Sequence, residues 1–358
     1  MDLDAALAVL RDHGAPAFRV EQVRHAITRD LISSWDEAST LPRDLRAALD
    51  QSAPVHELRE EDVQRSSDGT IKARFMTADG FPVETVLMRH GDRHAVCLSS
   101  QSGCALACTF CATGTMGFGR SLTTGEIFEQ LLWAARAARE RNARIRNVVM
   151  MGMGEPLQNL DAVLSFCRLA NDPEGYGLGA RSIAISTAGW LPGIDQLAKE
   201  PMQLRLAISL HAPDDALRST LMPINRRYPI ADLMAALQRY REATRRRVYV
   251  EYLLLNEVND RVEQAERLAD LLHKSLPGGT HVNCIWYNPT SSELTASSRE
   301  RVARFRAVLD RRRIPNTLRR SKGADIDAAC GQLAVRGAQE ARRATLSKRE
   351  KTAQRNDT

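Results

Sequence analysis

The sequence predicts an α/β protein: a partial (βα)6 TIM-like barrel of parallel strands, preceded by a small N-terminal helical accessory domain and a β-hairpin connector. Three observations carry this expectation. From about residue 94, six short β-rich runs alternate with helical stretches, the order that builds a parallel sheet with right-handed crossovers. Residues 55–90 alternate apolar and polar positions around turn-forming sequences. Residues 1–54 instead carry apolar side chains at helical spacing.

Within the accessory domain (1–54), amphipathic stretches run from Asp4 to His13, from Val20 to Arg29 and over Leu41–Leu49. The connector (55–90) is expected to turn at Ser67–Gly69, in SSDGT, and again at Asp79–Gly80. The core (91–336) offers strands at Ala95–Leu98, Val148–Met153, Ile183–Ser186, Leu206–Leu210, Val248–Leu255 and Val282–Tyr287. The clearest intervening helix is Thr124–Arg141, with Thr124 as its N-cap. A further strand is expected at Thr317–Arg320. Residues 337–358 form a basic, polar tail expected to be disordered.

At 358 residues the chain can bury one large core with attachments. No run approaches the roughly 18–20 apolar residues of a membrane span, and the acidic start MDLDAALAVL lacks the basic lead of a signal peptide. Seven cysteines, three of them clustered, suit a reducing cytoplasm better than a disulfide framework. The net charge of +6 is a weak nucleic-acid signal, because the tail holds six basic residues against three acidic ones. The first fifty residues, with six arginines and nine acids, are net negative.

The chemistry begins at Cys104, Cys108 and Cys111, in CALACTFC. Cubane iron–sulfur clusters are normally held by four thiolates, so CxxxCxxC supplies three and leaves one iron open to a chelating ligand. A structural zinc site would want four closed ligands, and no second cysteine pair lies nearby. Phe110 and the glycines Gly114, Gly117 and Gly119 are expected to shield the cluster. In barrels of this kind functional groups gather at the C-terminal strand ends. There stand Gly152, Gly154 and Glu155 of GMGEP, then Ser186 and Thr187, then Ser209, Leu210 and His211. A carboxylate at such an end can accept an ammonium group, although a tight βα turn explains the glycines equally well. A lone histidine is more often a satisfied structural residue, but the recurrence of polar groups at successive strand ends favours a site.

This cysteine triad resembles the signature of the radical S-adenosylmethionine (SAM) enzymes. With GMGEPL, SIAISTAG, LAISLHAP, LMPINRRYPI and especially GADIDAACGQL, the chain more closely resembles the RlmN/Cfr family of radical methyltransferases, over about residues 15–336. The resemblance implies a radical SAM barrel, a 4Fe-4S cluster on Cys104, Cys108 and Cys111, and two SAM molecules per turnover. It implies methylation of a ring carbon of adenosine in RNA: C2 in 23S rRNA, and in some members a tRNA adenosine, for RlmN-type enzymes, and C8 for Cfr-type enzymes. Such a ring carbon is too electron-poor to attack a sulfonium methyl as an amine would. Carried over by motif, Cys330 is the methyl carrier, Cys97 the cysteine that resolves the protein–RNA adduct through a disulfide, and Glu84 the general base. SAM contacts carry over to Gly154, Glu155, Ser186, Ser209, Leu210, His211 and Asn288. A reducing partner such as flavodoxin and a monomeric, cytoplasmic enzyme complete the expectation. Cys167 and Cys284 are left as packing residues.

Apolar neighbours Val83 and Val86 are expected to raise the pKa of Glu84; an exposed strand carboxylate is the plainer reading. Arg245–Arg247, Arg311–Arg313 and Arg319–Lys322 are basic clusters that either contact RNA or are solvated element ends. The target base must leave its stack, so unpaired RNA is expected. Tyr287–Ser298 lacks a Pro-Gly-rich loop and is Cfr-like, whereas SSDGTIKARF and CATGTMGFGRSLTTGEI are RlmN-like; C2 is favoured, with C8 or another RNA target as alternatives. Two other classes stand beside these. A radical methylthiotransferase would need a second, N-terminal cysteine triad, and a structural-metal RNA-binding module would need no cofactor.

Overall fold

The structure, a computed structural model, describes residues 2–290 and 292–333; the tail expected over 337–358 lies outside them. Among these residues twelve strands follow in chain order. They are β1 Leu58–Arg65, β2 Ile71–Thr77, β3 Pro82–His90, β4 Arg93–Cys97, β5 Gln101–Gly103 and β6 Phe118–Ser121, then β7 Ile145–Met150, β8 Ile183–Thr187, β9 Arg205–Ser209, β10 Val248–Leu254, β11 Thr280–Trp286 and β12 Asn316–Arg319. Ten of them form one sheet in the order β1-β2-β3-β4-β7-β8-β9-β10-β11-β12, and β5 pairs with β6 apart from it. From β4 onward every neighbour is parallel. β1 and β12 end the order without pairing to each other, so the barrel is open.

The connector is more than a hairpin. β1, β2 and β3 run antiparallel and continue the barrel sheet through β3–β4, where Val86 faces Cys97. The physical reason is the exposed edge of β4, whose backbone groups would otherwise lack partners. β1, at the outer edge, carries the charged sequence LREEDVQR, which discourages further pairing. The central strands read as apolar runs because both faces are covered: in β10 every residue but Tyr249 is buried.

Helices cover the outside. Helix Thr124–Arg139 is capped by Thr123, one residue before the expected Thr124. Thr123 accepts from the Glu126 amide at 3.1 Å while Glu126 accepts from the Thr123 amide at 2.9 Å, a reciprocal box that needs this spacing. The first residues form helices Leu3–Asp12, Phe18–His25 and Arg43–Ser52. Their buried faces, including Leu10, Val23 and Leu49, belong to the same apolar cluster as Phe128 and Leu131 of the barrel layer. Cys167 and Cys284 are fully buried in that cluster, as expected of packing residues. Among the described residues no helix is long and apolar enough to cross a membrane.

The parallel strands share a polarity, so Cys97, Met150, Thr187, Ser209, Leu254, Trp286 and Arg319 all close their strands at one end. The cysteines and polar strand-end groups singled out by sequence lie at or just beyond that end.

Candidate active site at the C-terminal strand ends

The three-cysteine loop springs from the β5–β6 hairpin, and its base is closed by the Cys104 amide donating to the Gly117 carbonyl at 3.0 Å. Its glycines pack the loop upon itself. A Cβ on Gly103 would stand 1.9 Å from the Gly117 carbonyl oxygen, and one on Gly114 3.0 Å from the Cys108 amide nitrogen. Cys104, Cys108 and Cys111 line one cavity of about 160 Å³, with Phe110 between them. Burial pushes the Cys104 thiol up to about 12 and the Cys108 thiol well above the ordinary range, and neighbouring thiols push Cys108 further. Iron binding requires thiolates, so sulfurs that raise one another in this way suit a cationic cluster. Among the described residues no three His, Cys, Asp or Glu side chains, the three loop cysteines included, stand close enough to hold a single ion.

Gly154, Glu155, Ser186, Ser209 and His211 line the same cavity. The glycines of GMGEP answer first to the chain. Gly154 has φ +100° and its Cβ would meet Gln101 at 2.5 Å, while a Cβ on Gly152 would meet the Leu98 carbonyl at 2.7 Å. Glu155 is buried, and its carboxylate accepts from the amides of Ala188 at 2.8 Å and Leu157 at 3.0 Å. Burial still pushes its pKa up to about 7, leaving a carboxyl suited to an arriving ammonium group. His211 lies in the left-handed region with φ +58°, accepts at Nδ1 from the Leu253 amide at 3.0 Å and stacks edge-on with Phe110. Burial lowers its pKa to about 3, so the ring is neutral. Leu210 is not among the cavity's lining residues: its side chain is in the core, and its carbonyl accepts from Arg218.

Arg218 was not singled out by sequence. Its buried guanidinium donates to the Leu210, Ser209 and Ala188 carbonyls and to the Asn225 side chain at 2.7–3.2 Å, fastening the ends of β8 and β9 to the turn Pro223–Arg226.

Cys330 belongs to two cavities, and its position is the centre of the site. It lines the cysteine cavity and also a neighbouring one of about 340 Å³ that holds Cys97, Asn288 and Arg319. The loop around it is fastened by hydrogen bonds to backbone carbonyls: Ala112 N–H to Gly331 at 2.7 Å, Thr113 Oγ1 to Leu333 at 2.5 Å, and Gln332 Nε2 to Pro289 at 2.9 Å. Asn288 therefore sits against the Cys330 loop, its Nδ2 3.5 Å from the Cys330 carbonyl, rather than in the cluster cavity. Cys97 and Cys330 are both free thiols, so the expected disulfide is absent from this structure; the two share a cavity without being bonded.

Burial pushes Cys97 up to about 12 and raises Cys330, even though solvent reaches Cys330 through the cavity. Arg319 opposes both shifts. It pairs with buried Glu251 at 3.3 Å, and Glu251 also accepts from Asn283 at 2.8 Å. Sequence had grouped Arg319 with a possible RNA cluster and overlooked Glu251, a carboxylate standing alone in the apolar run VYVEYLLL. Alkylation proceeds through the thiolate. We therefore predict that R319Q moves the pH profile of iodoacetamide labelling at Cys97 and Cys330 to higher pH, read by peptide mass spectrometry. An unmoved profile would count against this role.

Glu84 is buried on a third cavity of about 700 Å³, and its neighbourhood differs from the one expected. Alternation turns Val83 to the opposite face. Lys72 faces Glu84 instead, with Nζ 3.6 Å from Oε1, and Arg74 lies across from it in the strand register. Lys72 also donates to the Asp327 carbonyl at 3.2 Å, joining β2 to the Cys330 loop.

A Radical SAM superfamily family model matches residues 98–272. The chain is 47% identical over 345 residues to a probable dual-specificity RNA methyltransferase RlmN of Chloroflexus aurantiacus, covering 94% of this chain and 92% of that one. A protein of the same name from Streptococcus suis is 43% identical, covering 90% and 88%. A crystal structure of a radical SAM methyltransferase from Sphaerobacter thermophilus superposes with a TM-score of 0.90 at 47% identity, covering 94% of this chain and 98% of that one.

Proposed function

This chain belongs to the RlmN family of radical SAM RNA methyltransferases, and we propose that it methylates C2 of an adenosine in 23S rRNA, and a tRNA adenosine, with Cys330 as methyl carrier. The observation that carries the reading is that Cys330 lines the cavity of the three clustered thiols on one side and that of Cys97 on the other. When bound, the 4Fe-4S cluster and SAM supply a methyl group and, by one-electron cleavage, a 5′-deoxyadenosyl radical.

The chain's own residues do the rest. Cys104, Cys108 and Cys111 hold the cluster. Glu155 accepts the SAM amino group, and Ser186, Ser209 and His211 line its place, with neutral His211 unable to repel the sulfonium. Cys330 takes the methyl as a thiolate, helped by the Arg319 charge. Glu84 removes the ring proton after carbon–carbon bond formation, with Lys72 holding its carboxylate in position. Cys97 then attacks the Cys330 sulfur: a Cys97–Cys330 disulfide forms and the bond from that sulfur to the transferred carbon breaks. The carbon keeps the electron pair and takes a proton to become the methyl group of the released base. A cytoplasmic thiol reductant returns both cysteines to thiols. A flavodoxin-type reductant, a monomeric state and a reducing cytoplasm, which keeps both thiols free between turnovers, belong to the same reading.

The test is proteolysis of protein incubated with SAM, followed by mass spectrometry. The peptide containing Cys330 should carry one added methyl group; a methyl on another residue, with Cys330 bare, would overturn the assignment.

Glu155 adds a pH dependence. Its carboxyl, raised to about 7, is protonated below that value and ionised above it. SAM affinity of the cluster-loaded protein should therefore rise as pH increases through neutrality. Calorimetric titration on either side of neutrality checks this, and E155Q should abolish the difference; an equally steep dependence in E155Q would refute it.

A further inference from the structure

The fold commits two of the three basic clusters to internal partners. Arg311 and Arg312 pair with Glu266 at 3.1 and 2.6 Å. Arg319 pairs with Glu251, and Lys322 with Asp68 at 3.7 Å. Arg245–Arg247 differs. With Arg181 and Arg205 it surrounds a concave basin of about 440 Å³ in which no acidic side chain takes part.

Among the described residues none of these five arginines forms an ion pair, and four of them, Arg181, Arg205, Arg245 and Arg247, are exposed. Glu200 offers Arg246 its backbone carbonyl, but its carboxylate is taken by Arg168 at 2.7 Å. Tyr249 lies in the basin with the Arg205 guanidinium 5.9 Å from its ring centroid. Five like charges around one concavity repel one another, and an anion relieves that cost. Guanidinium forks match phosphate oxygens in particular.

Position decides what part of a polyanion the basin can hold. Arg205 opens β9 and Ser209, which lines the cluster cavity, closes it. Four residue steps along a strand put about 13 Å between them. The basin is thus at the opposite end of the sheet from the reacting groups.

Resting on the RNA methyltransferase reading, we propose that this basin is a second docking surface for the substrate RNA, gripping backbone phosphates remote from the target adenosine. It supplies affinity for large, folded RNA without reading the methylated base.

The test compares the cluster-loaded wild type with R205Q/R245Q/R247Q, using two probes: a full-length tRNA transcript and its isolated anticodon stem-loop. Fluorescence anisotropy over a range of salt gives the slope of log affinity against log salt. The slope for the full-length transcript should fall by about one per arginine removed, or about three in all. The stem-loop slope should stay unchanged. A second variant, R239Q/R304Q, removes arginines already paired with Asp195 and Glu300, and should alter neither slope. An unchanged slope for the full-length transcript, or equal losses on both RNAs, would overturn the proposal. Binding is read apart from turnover, so a wild type that methylates neither RNA would count against the activity and not against the basin.

Discussion

In C330A, RNA methylation should fall by more than about a thousandfold, as expected when a covalent nucleophile is removed, while SAM is still cleaved to 5′-deoxyadenosine. The separation follows from position. Cys330 touches the cluster cavity from its wall, whereas Cys104, Cys108, Cys111 and Glu155 form the cavity without it. The loop that carries it is fastened through backbone atoms of Ala112, Gly331, Leu333 and Pro289, so truncating the thiol leaves those contacts in place. Measuring both products in one anaerobic assay checks the claim. Loss of both activities together would make Cys330 part of the SAM site instead of the carrier.

The second large effect belongs to C97A. If Cys97 releases the product by attacking the Cys330 sulfur, its removal should stop the reaction at a covalent protein–RNA adduct. Cys97 closes β4 and is 8% exposed, in an apolar pocket with Val86, Met153, Ala328 and Leu333. Alanine fills most of that space, and the fold should tolerate it. Denaturing gels with labelled RNA should show a retarded, protease-sensitive band that forms in C97A and is absent in C97A/C330A. Multiple turnover by C97A, without such a band, would remove Cys97 from the mechanism.

The sequence was most legible where chemistry needs a fixed spacing. The three-cysteine loop and the polar strand ends fall at one end of the barrel because a parallel sheet aligns its strands in one direction. Elements set by long-range pairing were less legible. The hairpin connector becomes part of the main sheet because β4 needs a partner, a need that no local pattern expresses. Glu84 shows the same limit: its adjacent valines suggested an apolar setting, yet Lys72, brought beside it across β2 and β3, is the nearer influence.

Charge was the least legible property. Arg319 and Arg245 stand in similar basic runs. The fold turns one toward Glu251 and the two thiols, and leaves the other facing solvent with three more exposed arginines. Arg218 reads in sequence as an ordinary helical arginine, yet its partners are carbonyls of segments up to thirty residues away. R218A should be costly, by about 1–3 kcal/mol for each buried carbonyl left without a donor. Chemical denaturation measures this directly; a loss below about 1 kcal/mol would contradict the fastening role.

The central claim is methylation of an adenosine ring carbon, with C2 as the position. The most direct measurement is nucleoside mass spectrometry of a 23S rRNA fragment incubated with cluster-loaded protein, reductant and methyl-labelled SAM. The account predicts label in 2-methyladenosine, at one position in the fragment. Label in 8-methyladenosine, or no labelled adenosine while SAM is consumed, would contradict it.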